Sequence, residues 1–493
     1  MNNQGGKTSK LNTFVNQKIV PPIMKFVNTK GVKAMTDGMV AALPFIIIGS
    51  IFLIFANFPI PAVSEFFAKT GWTVFFNQAY TTTFGFTSIW AVVGIAYTYV
   101  KNEGLDDALP AGLTALSAFF LLQNLQVDNP LAAAIKSGIT DSAGNVTMKA
   151  EVVEKSIEQL PHALQTFITS PVTNVLNITF QGGQGMIAAL LIGLIVGWSY
   201  TYMIKHNWKI TLPEQVPAGV SRQFTAMIPA GVILTVSMLI YAVFKTFMHT
   251  DLLTWIYKIL QIPLQGMSDS FWGAILIAFA VTFFWFFGVH GGLIVGGIAG
   301  IFLLPNTVAN SELYQAGKLS LANGAHIVTN EFYNNIINLT GSGITIGLLI
   351  FTLVAAKSKQ MKSMGKLEAV PAIFNINEPF LFGMPMVMNP WLALPFSFVP
   401  VVVAALTYGA VYFGILPPLN GVAAPWTTPI IISGFFIGGW KWALWQAVVL
   451  VISTLMYWPF ARKYDKYLLG QEEQNEQNEQ KEEKQADQKP AKA

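Results

Sequence analysis

The chain contains no cysteine, and charged residues are scarce. Only 11% of its 493 residues are Asp, Glu, Lys or Arg, whereas soluble proteins carry about 25%. The absence of cysteine excludes disulfides, thiolate metal sites and covalent chemistry on sulfur. Hydrophobic residues make up 53% of the chain, and the mean hydropathy is +0.51. Because the apolar runs are long rather than short and alternating, we predict an all-α polytopic membrane protein.

Several familiar catalytic and metal-binding patterns are also missing. Gly6-Lys7-Thr8 resembles the end of a phosphate-binding loop, but the first glycine of that motif would fall at Met1. The five histidines show no i,i+4 pairing with acidic neighbours, so no zinc site is predicted. No basic stripe with interleaved aromatic residues indicates nucleic acid binding. We therefore expect neither a cofactor nor a metal.

Long apolar segments predict the membrane spans. A spanning helix needs about 20 apolar residues. The segments that qualify are Gly38–Phe58, Phe84–Val100, Leu109–Gln126, Ile187–Ile204, Phe224–Phe244, Phe271–Val289, Ile336–Ala356, Trp391–Phe413 and Trp442–Phe460. Gly291–Leu304 and Ala424–Gly439 are shorter runs interrupted by glycine or proline, typical of either further spans or re-entrant segments. We predict about ten transmembrane helices plus one or two re-entrant hairpins.

Basic residues cluster beside the predicted span ends. Such clusters usually lie on the cytoplasmic side, which places both termini in the cytoplasm. The clusters are the basic N-terminal segment 1–33, Lys205/Lys209/Arg222, Lys357/Lys359/Lys362/Lys366 and Arg462/Lys463/Lys466. The polar residues 128–180 then lie outside, as an external cap or a small ordered loop. The Gln- and Glu-rich tail 471–493 has the composition of a disordered segment.

One carboxylate stands alone in a long apolar region. Glu378 is the only charge between Glu368 and Lys441, and Pro379, Gly383 and Pro385 interrupt the pattern around it. An ionisable group at membrane depth is costly and usually functional. The sequence therefore favours a substrate or ion site on a broken helix. A loop carboxylate just outside the membrane is the alternative.

His290 and Trp426 also lie on interrupted apolar segments. His290 precedes a double glycine, which leaves room for a ligand beside the ring; a histidine satisfied by a backbone carbonyl is the alternative. Trp426 lies between Pro425 and Pro429, although many membrane tryptophans are interfacial anchors.

A polar cluster follows at residues 330–338. Helical spacing would place four of its side chains on one face, where interhelical hydrogen bonding explains them as well as substrate contact does. The four are Glu331, Asn334, Asn335 and Asn338, and Asn330 precedes them. Carboxylates and amides grip hydroxyl pairs, and an indole suits the C–H face of a sugar ring. The inventory therefore fits a neutral polyol better than an inorganic ion or a lipophilic drug.

Two motifs carry a family resemblance. Asn375–Pro385, continuing through Pro390, and Phe287–Gly291 occur in the order found in the membrane-embedded IIC component of the bacterial phosphotransferase system. More narrowly, the chain resembles the lactose/cellobiose (N,N′-diacetylchitobiose) family with its type-3 EIIC domain. The likeness runs over residues 10–467.

The resemblance implies a sugar permease in the bacterial cell membrane. It implies a homodimer with a scaffold half, a mobile sugar-carrying half and two re-entrant hairpins. Glu378, His290 and Trp426 would hold the sugar, with Asn377 and Asn375 as further candidates. In catalysis, Glu378 would orient the attacking hydroxyl or accept its proton, and His290 would donate to a sugar oxygen or to the incoming phosphate.

The resemblance also implies a phosphorylating partner. A soluble IIB protein would phosphorylate the 6-hydroxyl of the sugar from a cysteine phosphate, and a chain without cysteine requires a separate IIB. Lactose members of the family often carry IIB on the same chain, so a separate IIB favours cellobiose or a related β-glucoside over lactose. Diacetylchitobiose stays open. Two other functions stay open from the residues alone: an ion-coupled secondary sugar transporter, and a membrane-embedded glycosidase or transferase, in which Glu331 would supply the second carboxylate.

Overall fold

The computed structural model of the chain is helical almost throughout. It describes residues 17–487 except 19, 59–60, 106–107, 128, 130–138, 141–145, 149–151, 153–154, 156, 158, 174, 214, 216–217, 385 and 387–388. The first half of the basic segment 1–33 and the last six residues of the chain therefore lie outside the described part.

The helices of the first half are numbered in chain order. They are α1 (Val20–Val27), α2 (Lys30–Ala56), α3 (Pro61–Thr70), α4 (Trp72–Thr83), α5 (Thr87–Asn102), α6 (Leu109–Leu121), α7 (His162–Thr169), α8 (Ile178–Gln181), α9 (Met186–Lys205), α10 (Ala218–Phe247), α11 (Leu252–Ile256) and α12 (Ile262–Ser268). Short 3₁₀ turns at Phe84–Phe86 and Gly183–Gly185 and a π-turn at Tyr257–Gln261 join some of them.

The second half continues the series. Its helices are α13 (Phe271–Phe286), α14 (Gly291–Gln315), α15 (Asn330–Phe332), α16 (Ile346–Val354), α17 (Lys359–Ile373), α18 (Ala393–Tyr412), α19 (Ile432–Gly438) and α20 (Trp440–Asp487). A 3₁₀ turn lies at Leu321–Asn323, and π-turns lie at Tyr333–Ile337 and Pro379–Gly383.

Two hydrophobic cores divide the structure. The first joins buried side chains of α2, α4–α6 and α9, and the second joins those of α13–α20. α14 contributes to both, since Val295 and Leu303 pack in the second core whereas Leu304 and Val308 pack in the first. The interior between the two halves is thus organised around α14.

Seven helices of the described residues are long and apolar enough to cross a membrane. An eighth is obtained if Leu252–Ser268 and Phe271–Phe286, which are bent by 65°, form one span. Gly291–Gln315 is one of the seven, so this interrupted run is of spanning length. The predicted segment Leu109–Gln126 forms a helix of only 13 residues, about 20 Å long.

One predicted span is wrong as a continuous helix. Ile336–Ala356 begins in the π-turn, passes through an irregular stretch at 338–345 and becomes helical again only in α16. Thr340, Gly341, Gly343 and Ile344 all have positive φ in this stretch, which an α-helix does not allow. Residues 338–345 are called the first broken segment below, and residues 425–431, which precede α19, the second.

The polar excursion and the tail both contain regular structure. Gln126–Val127 (β1) pairs with Val172–Thr173 (β4), and Ile139–Thr140 (β2) pairs with Val146–Met148 (β3), each pair antiparallel. α20 continues to Asp487, where composition predicts disorder. Gln, Glu and Lys are good helix formers, and they extend a packed helix without a new nucleation step.

Salt bridges bring the first two basic clusters to one end of the bundle. Glu103, just after α5, accepts from Lys205 at the end of α9 and from Lys30 at the start of α2. The hydrogen bonds from Lys205 and Lys30 hold the pKa of the Glu103 carboxyl below its usual value. Three helix ends are joined by this one carboxylate.

A second set of carboxylates anchors α17 to α20. Asp465 accepts from the Lys357 and Ser358 amides at 2.9 Å each. Glu472 accepts from the amides of Lys359 and Gln360, both at 3.0 Å. Negative charge at a helix N-terminus is stabilising because the free amides and the helix dipole point at it. α17, which leads into the Glu378 motif, is therefore fixed at its start.

The Glu103 bridge predicts a pH-dependent loss of stability. Because its pKa is lowered in the folded state, the stabilisation is present above about pH 4 and is lost as the pH falls through the lowered pKa. Glu103→Gln should lower the stability of the detergent-solubilised protein at pH 7 by about 1 kcal/mol or less, since both lysines are partly exposed. Thermal unfolding at pH 7 and pH 3 measures this. The same change at the exposed Glu473 should have no effect, and an equal effect at both sites would contradict the prediction.

Candidate functional site

A large cavity lies between the two halves. Its volume is about 630 Å³, within the range of small-molecule sites. Side chains of α2 form one wall, and the start of α14, the π-turn Tyr333–Ile337, the first broken segment and the Glu378 motif form the other. All five residues that the sequence nominates line it: Glu378, His290, Asn377, Asn375 and Trp426.

Glu378 presents an unpaired carboxylate oxygen to this cavity. It precedes the π-turn Pro379–Gly383, whose proline and glycine break the regular helix. The side chain is half-buried, and its Oε2 is buried without a hydrogen-bond partner. A buried acceptor without a partner costs free energy, so this oxygen is available for a ligand donor.

His290 is the N-cap of α14. The amide of Leu293 donates to its Nδ1 at 3.1 Å, so Nδ1 acts as an acceptor and the proton of the neutral ring lies on Nε2. The ring packs against Trp285, with 4.3 Å between ring centroids. His290 therefore offers an N–H donor to the cavity. The alternative of a histidine satisfied by a backbone carbonyl does not apply.

The side-chain amide of Asn375 forms its hydrogen bonds with main-chain groups. Its Oδ1 accepts from the Thr340 amide at 2.8 Å, and its Nδ2 donates to the carbonyls of Trp426 at 2.6 Å and Thr428 at 2.8 Å. It is 5% exposed and has φ +60°. Asn375 thus ties the two broken segments together at the edge of the cavity.

Asn377 supports the first broken segment. Its Nδ2 donates to the Ser342 carbonyl at 2.8 Å and to Thr345 Oγ1 at 3.0 Å. Gly341 lies against this amide so closely that a Cβ there would collide with it. Only the Oδ1 of Asn377 is left for a ligand.

Trp426 exposes a flat apolar face. Its side chain is 54% exposed, and its carbonyl is fixed by Asn375. Trp285, which packs on His290, is buried, and its Nε1 has no hydrogen-bond partner within the described part of the chain. The cavity therefore combines apolar ring faces with a few polar atoms.

The polar cluster at 330–338 is split by the π-turn, so the predicted common face is wrong. Asn330, Asn334 and Asn338 line the cavity. Glu331 instead points into the protein and accepts from Thr307 Oγ1 at 2.8 Å. The π-turn Tyr333–Ile337 has more residues per turn than an α-helix, so the side chains after it do not stay on the face that α-helical spacing predicts. The buried Asn338 Oδ1 has no partner, which makes it a further polar group for a ligand.

Sequence reasoning missed the wall formed by α2. Thr36 and Asp37 line the cavity opposite the Glu378 motif. Asp37 is the only acidic residue in the apolar helix Lys30–Ala56, a signal of the same kind as that of Glu378. Its position near the basic N-terminal segment made it look like an ordinary surface charge.

The arrangement suits hydroxyl groups. Glu378 Oε2 and Asn338 Oδ1 accept, whereas His290 Nε2 and Trp285 Nε1 donate. A hydroxyl donates and accepts at once, so it satisfies one group of each kind. No group of three or more His, Asp or Glu residues that could hold a metal ion occurs among the residues that the structure describes.

Comparisons with known proteins show the family of the chain. A family model described as "Phosphotransferase system, EIIC" matches residues 36–400. The lichenan permease IIC component of Bacillus subtilis (strain 168) is 32% identical over 469 residues, 94% of this chain and 96% of that protein. The cellobiose-specific EIIC component of the PTS system of Geobacillus stearothermophilus is 31% identical over 465 residues, 93% of this chain and 95% of that protein.

A solved structure is similar over nearly its whole length. The crystal structure of the transporter ChbC, the IIC component from the N,N′-diacetylchitobiose-specific phosphotransferase system, matches with a TM-score of 0.80 at 32% sequence identity. The match covers 93% of this chain and 99% of that chain. The chain therefore belongs to the EIIC family, the membrane-embedded sugar permeases of the phosphotransferase system.

Proposed function

We propose that this permease binds a β-linked disaccharide, with cellobiose as the favoured substrate, in the cavity between its two halves. The observation that carries the proposal is the set of unpartnered polar atoms around one cavity, two acceptors and two donors, next to the exposed ring of Trp426. Such a set pairs with hydroxyls, and a ring face stacks on the C–H face of a sugar.

The choice of cellobiose has two supports. The Geobacillus relative is named for cellobiose and the Bacillus relative for lichenan. The chain also lacks the cysteine that a fused IIB domain would carry. Diacetylchitobiose, for which the ChbC system is named, is the main competitor.

Phosphorylation requires a partner protein. The proposed reaction moves a phosphoryl group from a IIB phosphocysteine to the 6-hydroxyl of the sugar. The O–P bond forms as the S–P bond breaks, the cysteine leaves as a thiolate, and the hydroxyl loses its proton. Phosphoryl transfer depends mainly on positioning and charge stabilisation. Glu378 would accept or orient the hydroxyl proton, and His290 Nε2 would donate to a sugar or phosphoryl oxygen.

The proposal extends to the oligomer and to its orientation in the membrane. The half built on the first core is the scaffold of a homodimer in the bacterial cell membrane, and the half that carries the Glu378 motif moves the sugar. Both termini lie in the cytoplasm, where IIB meets the sugar.

Replacement of Asn375 should disrupt the cavity without removing a direct contact to the sugar. Glycine accepts φ +60°, so Asn375→Gly isolates the loss of three hydrogen bonds to buried backbone. We expect about 3 kcal/mol less stability and at least tenfold weaker cellobiose binding. Thermal unfolding and calorimetric titration measure the two effects. Asn207 has φ 61° and is exposed, so Asn207→Gly is the matched control and should change neither. Unchanged stability of Asn375→Gly would refute the bridging role.

Glu378→Gln should weaken sugar binding in a protein that stays folded. Gln keeps the size of the side chain but loses the charge, and hydrogen bonds to charged groups contribute about 1.5–3 kcal/mol, or roughly 10- to 100-fold in affinity. Binding of cellobiose and phosphorylation by IIB are measured beside thermal unfolding. Glu65, which is exposed and pairs with Lys69, provides the control Glu65→Gln. Wild-type affinity in Glu378→Gln would remove Glu378 from the site.

Uptake distinguishes group translocation from ion-coupled transport. Cells that express the chain but lack the general phosphocarrier proteins should not accumulate labelled cellobiose, because no phosphoryl group reaches IIB. With the phosphocarriers restored, the label should appear inside as sugar phosphate. Accumulation of unmodified sugar against its gradient in the deficient cells would instead support an ion-coupled secondary transporter.

A further inference from the structure

A second carboxylate lies behind the Glu378 motif. Glu368, on α17, is completely shielded from solvent at 0% exposure. Neither of its carboxylate oxygens has a hydrogen-bond partner among the residues that the structure describes. No lysine, arginine or histidine within the described ranges forms a salt bridge with it. None of the roles proposed above uses this group.

Glu368 lies next to the π-turn that positions Glu378. The amide of Phe380 is beside the Glu368 carboxylate, but this amide already donates to the Asn377 carbonyl at 3.1 Å. The Phe380 amide is therefore shared with the Asn377 carbonyl and gives a charge on Glu368 only part of a hydrogen bond.

The charged neighbours of Glu368 can be named element by element. α16, which packs on α17, contains no ionisable residue. The motif contributes Glu378, whose charge acts on Glu368. From α20, Asp465 meets α17 at Ser358, ten residues or about 15 Å along the helix from Glu368. On α17 itself, Lys362 and Lys366 are exposed to solvent.

A buried carboxylate in such surroundings is stable only as the neutral acid. An isolated buried anion costs far more than a neutral group, and two nearby carboxylates resist ionising together. If one of the pair keeps the charge, it is the half-buried Glu378 at the cavity, because burial of Glu368 is complete.

We propose that Glu368 is a positioning residue of the sugar site: as the neutral acid it packs beneath the Pro379–Gly383 turn and leaves the negative charge to Glu378, and its ionisation displaces the turn and weakens sugar binding. This rests on the proposed function of the cavity. Glu368 touches no sugar, so its effect reaches the ligand only through Glu378.

The test compares the full-length wild-type protein with Glu368→Gln across pH 6 to 9. Gln mimics the neutral acid and cannot ionise. Burial raises the pKa of Glu368 to about 8, so wild-type affinity for cellobiose should fall roughly tenfold between pH 7 and 9 as the neutral form is lost. Glu368→Gln should match the wild type at pH 7 and stay nearly constant. Every other ionisable group is the same in the two proteins, so the difference between their pH curves isolates Glu368. Glu312, a half-buried glutamate that accepts from Gly183, supplies the control Glu312→Gln, which should keep the wild-type pH dependence.

A second measurement needs no sugar. The folded state holds a proton on Glu368 that the unfolded chain releases, so wild-type stability should decline from pH 7 to 9 more steeply than that of Glu368→Gln. Parallel pH curves for the two proteins, in binding or in unfolding, would overturn the proposal. A folded protein that binds no cellobiose at any pH would refute the proposed substrate, and the unfolding curves would still decide the role of Glu368.

Discussion

Backbone that leaves the helix inside an apolar protein must find its hydrogen bonds among side chains, and this constraint shapes the whole half that carries the Glu378 motif. Water cannot serve these groups. α20 therefore carries polar side chains along its buried face: Tyr457 donates to the Gly343 carbonyl at 2.8 Å, and Gln446 accepts from the Ile431 amide at 2.7 Å. Asn375 completes the frame by joining the two broken segments to each other.

The same constraint separates polar residues that serve the backbone from those left for a ligand. Asn375 and most of Asn377 are consumed by main-chain groups, although their motif makes them look like sugar ligands. Glu378, Asn338 and Trp285 retain unpartnered atoms. A residue can therefore be essential to the site while its side chain contacts only protein.

The sequence predicts the helical membrane class from its long apolar runs. It also predicts residues that meet at the cavity, because polar groups isolated in apolar runs are rare and several of them lie in recognisable motifs. It does not predict the break inside Ile336–Ala356, whose apolar composition alone is that of a continuous span. Thr340 and Ile344 have positive φ, and their partners lie far away in the chain: the Thr340 amide donates to Asn375, and the Ile344 carbonyl accepts from Ser453. Asp37 was missed for a related reason: its relevance depends on tertiary packing that places α2 against the second half.

The double membership of α14 has a consequence for the order of folding. The first core is built mainly from residues before 257, yet Leu304, Val308 and Val422 complete it. During synthesis the amino-terminal half must wait, with apolar surface uncovered, until much of the following half has been made. Domains usually fold as units in the order of their synthesis. Here the first core is complete only once α14 and residue 422 have been made, and we expect a truncated amino-terminal half to depend on chaperones or lipid to cover the unfilled surface.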